Sequence, residues 1–187
     1  MSTQQKLYRA VLIGVMAAMI FVVTALIKIE IPTPTGTTML KTGNILCLLS
    51  GMLFGGLPAG LAAGIGSALF DLTNPVFAPS APFTLINFFV MGFVCGTVSH
   101  LRGKKGGSMR QNLLGAVLGA ACDWVLYIGK STLTLVLAGS APGAALIANS
   151  AKMLTSLING VLAVVCSMLI VRPVRAALAK AHLLEKL

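Results

Sequence analysis

Acidic side chains are nearly missing from this sequence. Of 187 residues only four are aspartate or glutamate, charged residues of every kind reach 10%, and two are histidine. A soluble domain carries a far more charged surface. With 57% apolar residues and a mean hydropathy of +0.94, the composition is that of an integral membrane protein. Catalytic constellations are absent too. There is no Ser–His–Asp arrangement, no HExxH and no carboxylate pair spaced for acid–base work, so no enzyme is expected. The histidines, His100 and His182, sit beside basic segments and join no such set. The four cysteines, Cys47, Cys95, Cys122 and Cys166, fall in apolar runs with no CxxC and no nearby histidine pair. They read as free thiols packed as small apolar groups, with no metal site. Neither GxxxxGK[ST] nor GxGxxG occurs in a strand-to-helix context, and no soluble domain is visible to hold one. No cofactor is expected, and energy for any uphill movement must come from elsewhere.

What the chain has in quantity is apolar helix. Six spanning segments can be drawn, at about 8–28, 42–57, 59–73, 82–101, 111–138 and 143–171, forming one six-helix membrane domain over residues 1–187. The run from Val11 to Ile27 is long enough to cross a bilayer and no cleavage site follows, so it reads as a retained first helix rather than a signal peptide. The second and third segments are short and are joined at "FGGLPAG", where Pro58 and the glycines favour a tight turn.

The net charge of +10 does not point to nucleic acid, because the basic residues gather in short segments between and after apolar runs. It points to topology. Lys6 and Arg9, then Arg102, Lys104, Lys105 and Arg110, then Arg172, Arg175, Lys180 and Lys186 all fall on one side of the bilayer. Only Lys28, Lys41, Lys130 and Lys152 fall within the membrane or beyond it on the other. The positive-inside rule then puts both termini in the cytoplasm. The expectation is an all-α, multi-pass protein of the cell membrane with six transmembrane helices. Two polar segments lie outside: "KIEIPTPTGTTMLKTGN", residues 28–44, a threonine-rich loop of a kind that can fold over a cavity, and "DLTNPVFAPSAP", residues 71–82, stiffened by Pro75, Pro79 and Pro82.

Two polar stripes interrupt the apolar helices. Asp123, Tyr127 and Lys130 are spaced i, i+4, i+7, and Asn149, Lys152, Ser156 and Asn159 i, i+3, i+7, i+10, so each set shares one helix face. One Asp or Lys at a helix centre costs roughly 2.5 to 3.5 kcal/mol on insertion. The stripes must therefore face protein or water. Two readings remain open. In one, Asp123 pairs with Lys152 or Lys130 and merely fixes helix packing. In the other, a pocket open to the outside uses its lysines to meet an acidic or carbonyl-bearing ligand. Asp123 then accepts hydrogen bonds, and Trp124 or Tyr127 stacks on a ring. Trp124, one residue off the stripe, reads equally well as a packing or interfacial aromatic. Asp71, Asn74, Asn87, Lys41, Thr42 and Asn44 fall at the same level, although Asp71 in "DLTNP" is also a turn signature. Small residues recur every four positions at Ala10, Gly14 and Ala18, a groove for a close helix partner or for internal packing. Gly56, Gly60, Gly64 and Ala68, and likewise Gly115 and Gly119, read as internal packing.

The stretch "IPTPTGTTMLKTGNILCLLSGMLFGGLPAGLAAGIGSALFDL", residues 31–72, resembles the substrate-binding S components of energy-coupling factor (ECF) transporters, the bacterial vitamin importers. The likeness lies in a first loop with Pro and Gly, a Gly–Asn entering helix two, a glycine-rich turn between helices two and three, and an Asp–Leu closing helix three. "APFTLINFFVMGFVCG", residues 81–96, is similar to the fourth helix of the riboflavin-type branch. The resemblance implies a six-helix subunit in the bacterial cytoplasmic membrane that binds a vitamin or precursor near the outer face under its first loop. It further implies docking through Ala10, Gly14 and Ala18 to a membrane coupling subunit driven by two cytosolic ATPases, followed by toppling to release ligand inside. The ligand site it implies comprises the loop from Thr35 to Asn44 and the outer halves of segments five and six. Asp123, Tyr127 and Lys130 form one wall of it, with Asn149 and Lys152 opposite.

The pocket suits a pyrimidine, a pyridoxine-like or flavin-like compound, or a larger corrinoid. Two other functions compete. One is a self-sufficient secondary carrier or channel with Asp123 as its coupling group, against which stands the lack of an inverted repeat. The other is a non-transporting structural membrane protein.

Overall fold

The computed structural model of the chain describes residues 3–180. His182 and Lys186, read above as part of the tail, lie outside the described residues. Seven helices and one hairpin follow in order: α1 (Thr3–Leu26), β1 (Lys28–Thr33), β2 (Gly36–Lys41), α2 (Gly43–Phe54), α3 (Gly56–Thr73), α4 (Ala81–Ser99), α5 (Met109–Leu137), α6 (Pro142–Ala148) and α7 (Ser150–Lys180), with single 3-10 turns at Ala78–Ser80 and Leu101–Gly103.

Helices α1, α4, α5 and α7 are long and apolar enough to cross a bilayer. α2 is not: its 12 residues span about 18 Å, against a hydrocarbon core of about 30 Å. It lies in the middle of the bundle with Cys47, Leu48 and Met52 fully buried, and the β-hairpin continues the chain at its N-terminal end. A short central helix leaves space beside its N-terminus, and that space positions the candidate site.

Four expectations are corrected. Residues 28–44 are not a loop. Lys28 to Thr33 pair antiparallel with Gly36 to Lys41, in a register from Lys28↔Lys41 to Thr33↔Gly36. Pro34 and Thr35 make the two-residue turn and Gly36 takes φ 108°. Pro32 is tolerated because a two-stranded sheet has only edge strands. The break between α2 and α3 falls at Gly55, with φ 84°, and Pro58 sits in the first turn of α3, where an amide hydrogen would have no helical partner. The predicted span 143–171 is two helices, interrupted at Asn149, whose side chain is drawn into tertiary hydrogen bonds described below. Its long member runs on to Lys180.

Helix packing rests on missing side chains. A Cβ at Gly60 or Gly64 would stand 2.9 Å from the Phe89 carbonyl oxygen or 2.7 Å from that of Leu85, and one at Gly92 would stand 2.7 Å from that of Ala59. α3 and α4 therefore touch backbone to backbone. α5 approaches α4 the same way at Gly115 and Gly119, where a Cβ would lie 2.6 Å from the Cys95 oxygen and 2.7 Å from the Met91 oxygen. In lipid, where association gains little from hydrophobicity, such close contact is the main source of helix affinity. Gly14 differs: a Cβ there meets nothing within 4 Å, and Ala10, Gly14 and Ala18 are exposed.

Candidate ligand-binding site

Between the hairpin, the N-terminal end of α2 and the facing ends of α3, α4, α5 and α7 lies a cavity of about 360 Å³. Its roof is β2, held by side chains from the helices beneath. Asn159 acts as a third strand, its Nδ2 donating to the Met39 carbonyl at 2.7 Å and its Oδ1 accepting from the Lys41 amide at 3.1 Å. The Tyr127 hydroxyl donates to Thr38 Oγ1 at 3.1 Å. Lys152 Nζ donates to the Thr35 carbonyl at 2.7 Å. Thr33 Oγ1 donates to the Gly36 carbonyl and closes the turn. On the exposed edge, Lys28 and Glu30 form an ion pair at 2.9 Å, and Asn74 Nδ2 donates to Glu30 at 3.0 Å. The Lys28 hydrogen bond holds the Glu30 carboxyl below the usual carboxylate range.

The two polar stripes face the cavity. Asp123, Tyr127 and Lys130 line it from α5, Lys152, Ser156 and Asn159 from α7, and Lys41, Asn44, Asp71 and Asn87 complete the polar lining. Asp123 Oδ1 accepts from Asn87 Nδ2 at 2.6 Å and Asp71 Oδ2 from Thr84 Oγ1 at 2.5 Å. Neither Lys130 nor Lys152 is within ion-pair distance of Asp123. Among the described residues the only ion pair is Lys28–Glu30, so the packing role proposed for an Asp123–lysine pair is not what the structure contains. Lys41 Nζ lies 4.2 Å from the centre of the Phe88 ring, and Lys130 Nζ 5.3 Å from that of Phe83. Two buried acceptors, Asn44 Oδ1 and Asn87 Oδ1, have no hydrogen-bond partner among the described residues.

Three residues proposed from the sequence do not line the cavity. Trp124 turns away, its indole nitrogen donating to the Met153 carbonyl at 3.1 Å and joining α5 to α7. Thr42 anchors the hairpin base to α1 through the carbonyls of Val23 and Ile27, at 3.3 and 3.1 Å. Asn149 is fully buried and gathers Thr35 Oγ1 at 3.0 Å and Ser131 Oγ at 2.9 Å onto its Oδ1. Sequence reasoning missed Phe77, Phe83 and Phe88, which supply the aromatic lining. Apolar residues in an apolar helix give no contrast, and only a ring beside a lysine from another element would have marked them.

The family model described as "ECF-type riboflavin transporter, S component" matches residues 4–180. The chain belongs to that S-component family. Over 124 residues, 66% of its length, this S component is also 36% identical to a Pyrococcus woesei protein described as "Uncharacterized protein in gap 3'region", of which the match covers 75%. Family membership makes it a substrate-binding membrane subunit of an ECF transporter, a multi-pass protein of the cytoplasmic membrane and not an enzyme. It works with a membrane and ATPase module.

Proposed function

We propose that this S component captures a ring-bearing vitamin or vitamin precursor from outside the cell, in the cavity beneath the hairpin, and delivers it inward when docked to its coupling module. The observation that carries the reading is a roofed cavity of about 360 Å³ lined by three lysines, two aspartates and the rings of Phe77, Phe83, Phe88 and Tyr127. A planar ring with N–H or O–H donors meets the carboxylates of Asp71 and Asp123 with its edge and Phe83 and Phe88 with its faces. The volume lies at the small end of the roughly 300–1,000 Å³ range of ligand pockets. It favours one to three fused rings, a flavin-like compound foremost given the family's name, and disfavours a corrinoid.

In this reading Lys41, Asp71, Asp123, Tyr127, Lys130, Lys152 and Ser156 contact ligand, while Thr42, Trp124 and Asn149 hold the frame. Six helical segments, α1 to α5 and α7, make up the membrane body, with α2 too short to span it alone and the hairpin completing its pass. The lysine and arginine asymmetry puts the hairpin outside and both termini in the cytoplasm. Ala10, Gly14 and Ala18, exposed on α1, admit a helix of the coupling subunit at close range, and two cytosolic ATPases drive the cycle. Calorimetric titration of the purified subunit with riboflavin, pyridoxine and a thiamine-type pyrimidine tests the binding. One of them saturates the protein, and Lys152→Ala weakens it by more than about tenfold. Unchanged affinity with a lowered melting temperature would make Lys152 a structural residue instead.

A further inference from the structure

The cavity holds more positive charge than it answers. Three ammonium groups, Lys41, Lys130 and Lys152, and two carboxylates, Asp71 and Asp123, line it. Both carboxylates are engaged by neutral donors, Thr84 and Asn87. Lys41 rests on the Phe88 ring. Lys130 Nζ donates to Ser80 Oγ at 2.9 Å, and Lys152 Nζ donates to the Thr35 carbonyl at 2.7 Å and to Ser131 Oγ at 3.3 Å. Among the described residues none of the three has a carboxylate within ion-pair distance.

Lys130 from α5 and Lys152 from α7 both line the cavity below the hairpin turn, and the residue after Lys130, Ser131, has its Oγ 3.3 Å from Lys152 Nζ. Hydroxyls of Ser80 and Ser131 lie beside them, and the turn passes so near that a Cβ on Gly36 would sit 3.8 Å from Lys152 Nζ. Two like charges in a partly desolvated site are costly to hold together. The group that relieves both at once is an anion with several acceptor oxygens, bound by charge-assisted hydrogen bonds. The carboxylates of Asp71 and Asp123, which accept N–H or O–H, line the cavity among different neighbours, Thr84 and Asn87.

We propose that Lys130 and Lys152, with the hydroxyls of Ser80 and Ser131, form an anion subsite beneath the hairpin turn. Resting on the reading that this cavity binds a small molecule, the ligand is then a ring compound with donor groups at one end and a carboxylate or phosphate at the other.

The test is calorimetry on the detergent-purified full chain with two matched pairs: riboflavin against flavin mononucleotide, which adds a phosphate, and pyridoxine against 4-pyridoxate, which adds a carboxylate. The anionic member of at least one pair binds more than about tenfold tighter than its neutral partner, and which pair shows the gap identifies the anion. Added salt narrows the gap. Lys130→Gln and Lys152→Gln each close it, whereas Lys130→Arg and Lys152→Arg keep it, with melting curves reporting that each variant is folded. Neutral members that bind as tightly as their anionic partners, or tighter, in both pairs overturn the anion subsite and leave the binding reading standing. Failure of all four compounds to bind overturns both.

Discussion

At the end of the bundle carrying residues 102–108, α4 and α5 meet their neighbours through glycine. At the hairpin end the same two helices stand apart around a cavity. Along α4, Gly92 and Gly96 occupy the first region and Thr84 and Asn87 the second; along α5, Gly115 and Gly119 give way to Asp123, Tyr127 and Lys130. The crossover is sharp, because Met91 and Gly119 are in contact range while one turn further on Asn87 already hydrogen-bonds Asp123. Backbone contact gives the dry half its rigidity. In the wet half, side chains with polar tips hold the helices apart, and a strand pair tied by Asn159, Tyr127 and Lys152 covers the gap.

The most damaging way to break this contrast is to put bulk into the dry seam. Gly92→Leu drives a side chain into the Ala59 carbonyl, and a clash of that kind, at about 1 to 3 kcal/mol or more, removes most of the monodisperse protein seen on gel filtration. Gly14→Leu makes the same chemical change where nothing stands within 4 Å. It leaves the melting temperature and ligand binding of the purified subunit intact while abolishing uptake in cells. Joint loss of binding and transport would count against a docking role for that face. Asn87→Ala attacks the wet half. It strips the cavity-lining Asp123 of its donor, weakening ligand binding by about tenfold or more and lowering stability by about 1 to 3 kcal/mol. Tyr127→Phe keeps the ring in the cavity wall and loosens the roof. Loss of one hydrogen bond to Thr38, worth about 1 kcal/mol, raises the dissociation rate several-fold in stopped-flow experiments with little change in melting.

Glu30 sets the smallest effect. Because Lys28 lowers its folded-state pKa, its contribution is present above the unfolded value and fades as pH falls through the lowered folded one. Glu30 is exposed and its ion pair is screened by solvent, so the loss on acidification is slight. Glu30→Gln abolishes it, as a melting series in acid would register.

The polar stripes were legible because charge in an apolar helix has a period. Asp123, Tyr127 and Lys130, and Lys152, Ser156 and Asn159, share their faces by spacing alone, and those faces line the cavity. The hairpin was not legible, since Pro32, Pro34 and Gly36 read as breakers although Ile29, Ile31, Thr37 and Thr38 carry strand propensity. Trp124 was misplaced by a single position along the helix, a rotation of about 100° that carries its ring from the cavity to the α7 backbone. The break at Asn149 was hidden by its place in an unbroken stripe; only its contacts with Thr35 and Ser131 reveal why the helix stops there.

The central claim is that the roofed cavity holds a small ring compound. Its most direct test is mass spectrometry of molecules released on denaturing the detergent-purified protein, beside a Lys152→Ala control. A vitamin-like ring compound released in near-stoichiometric amount and lost in the control is the predicted result. A protein that releases nothing and also ignores a panel of vitamins and their precursors would contradict it.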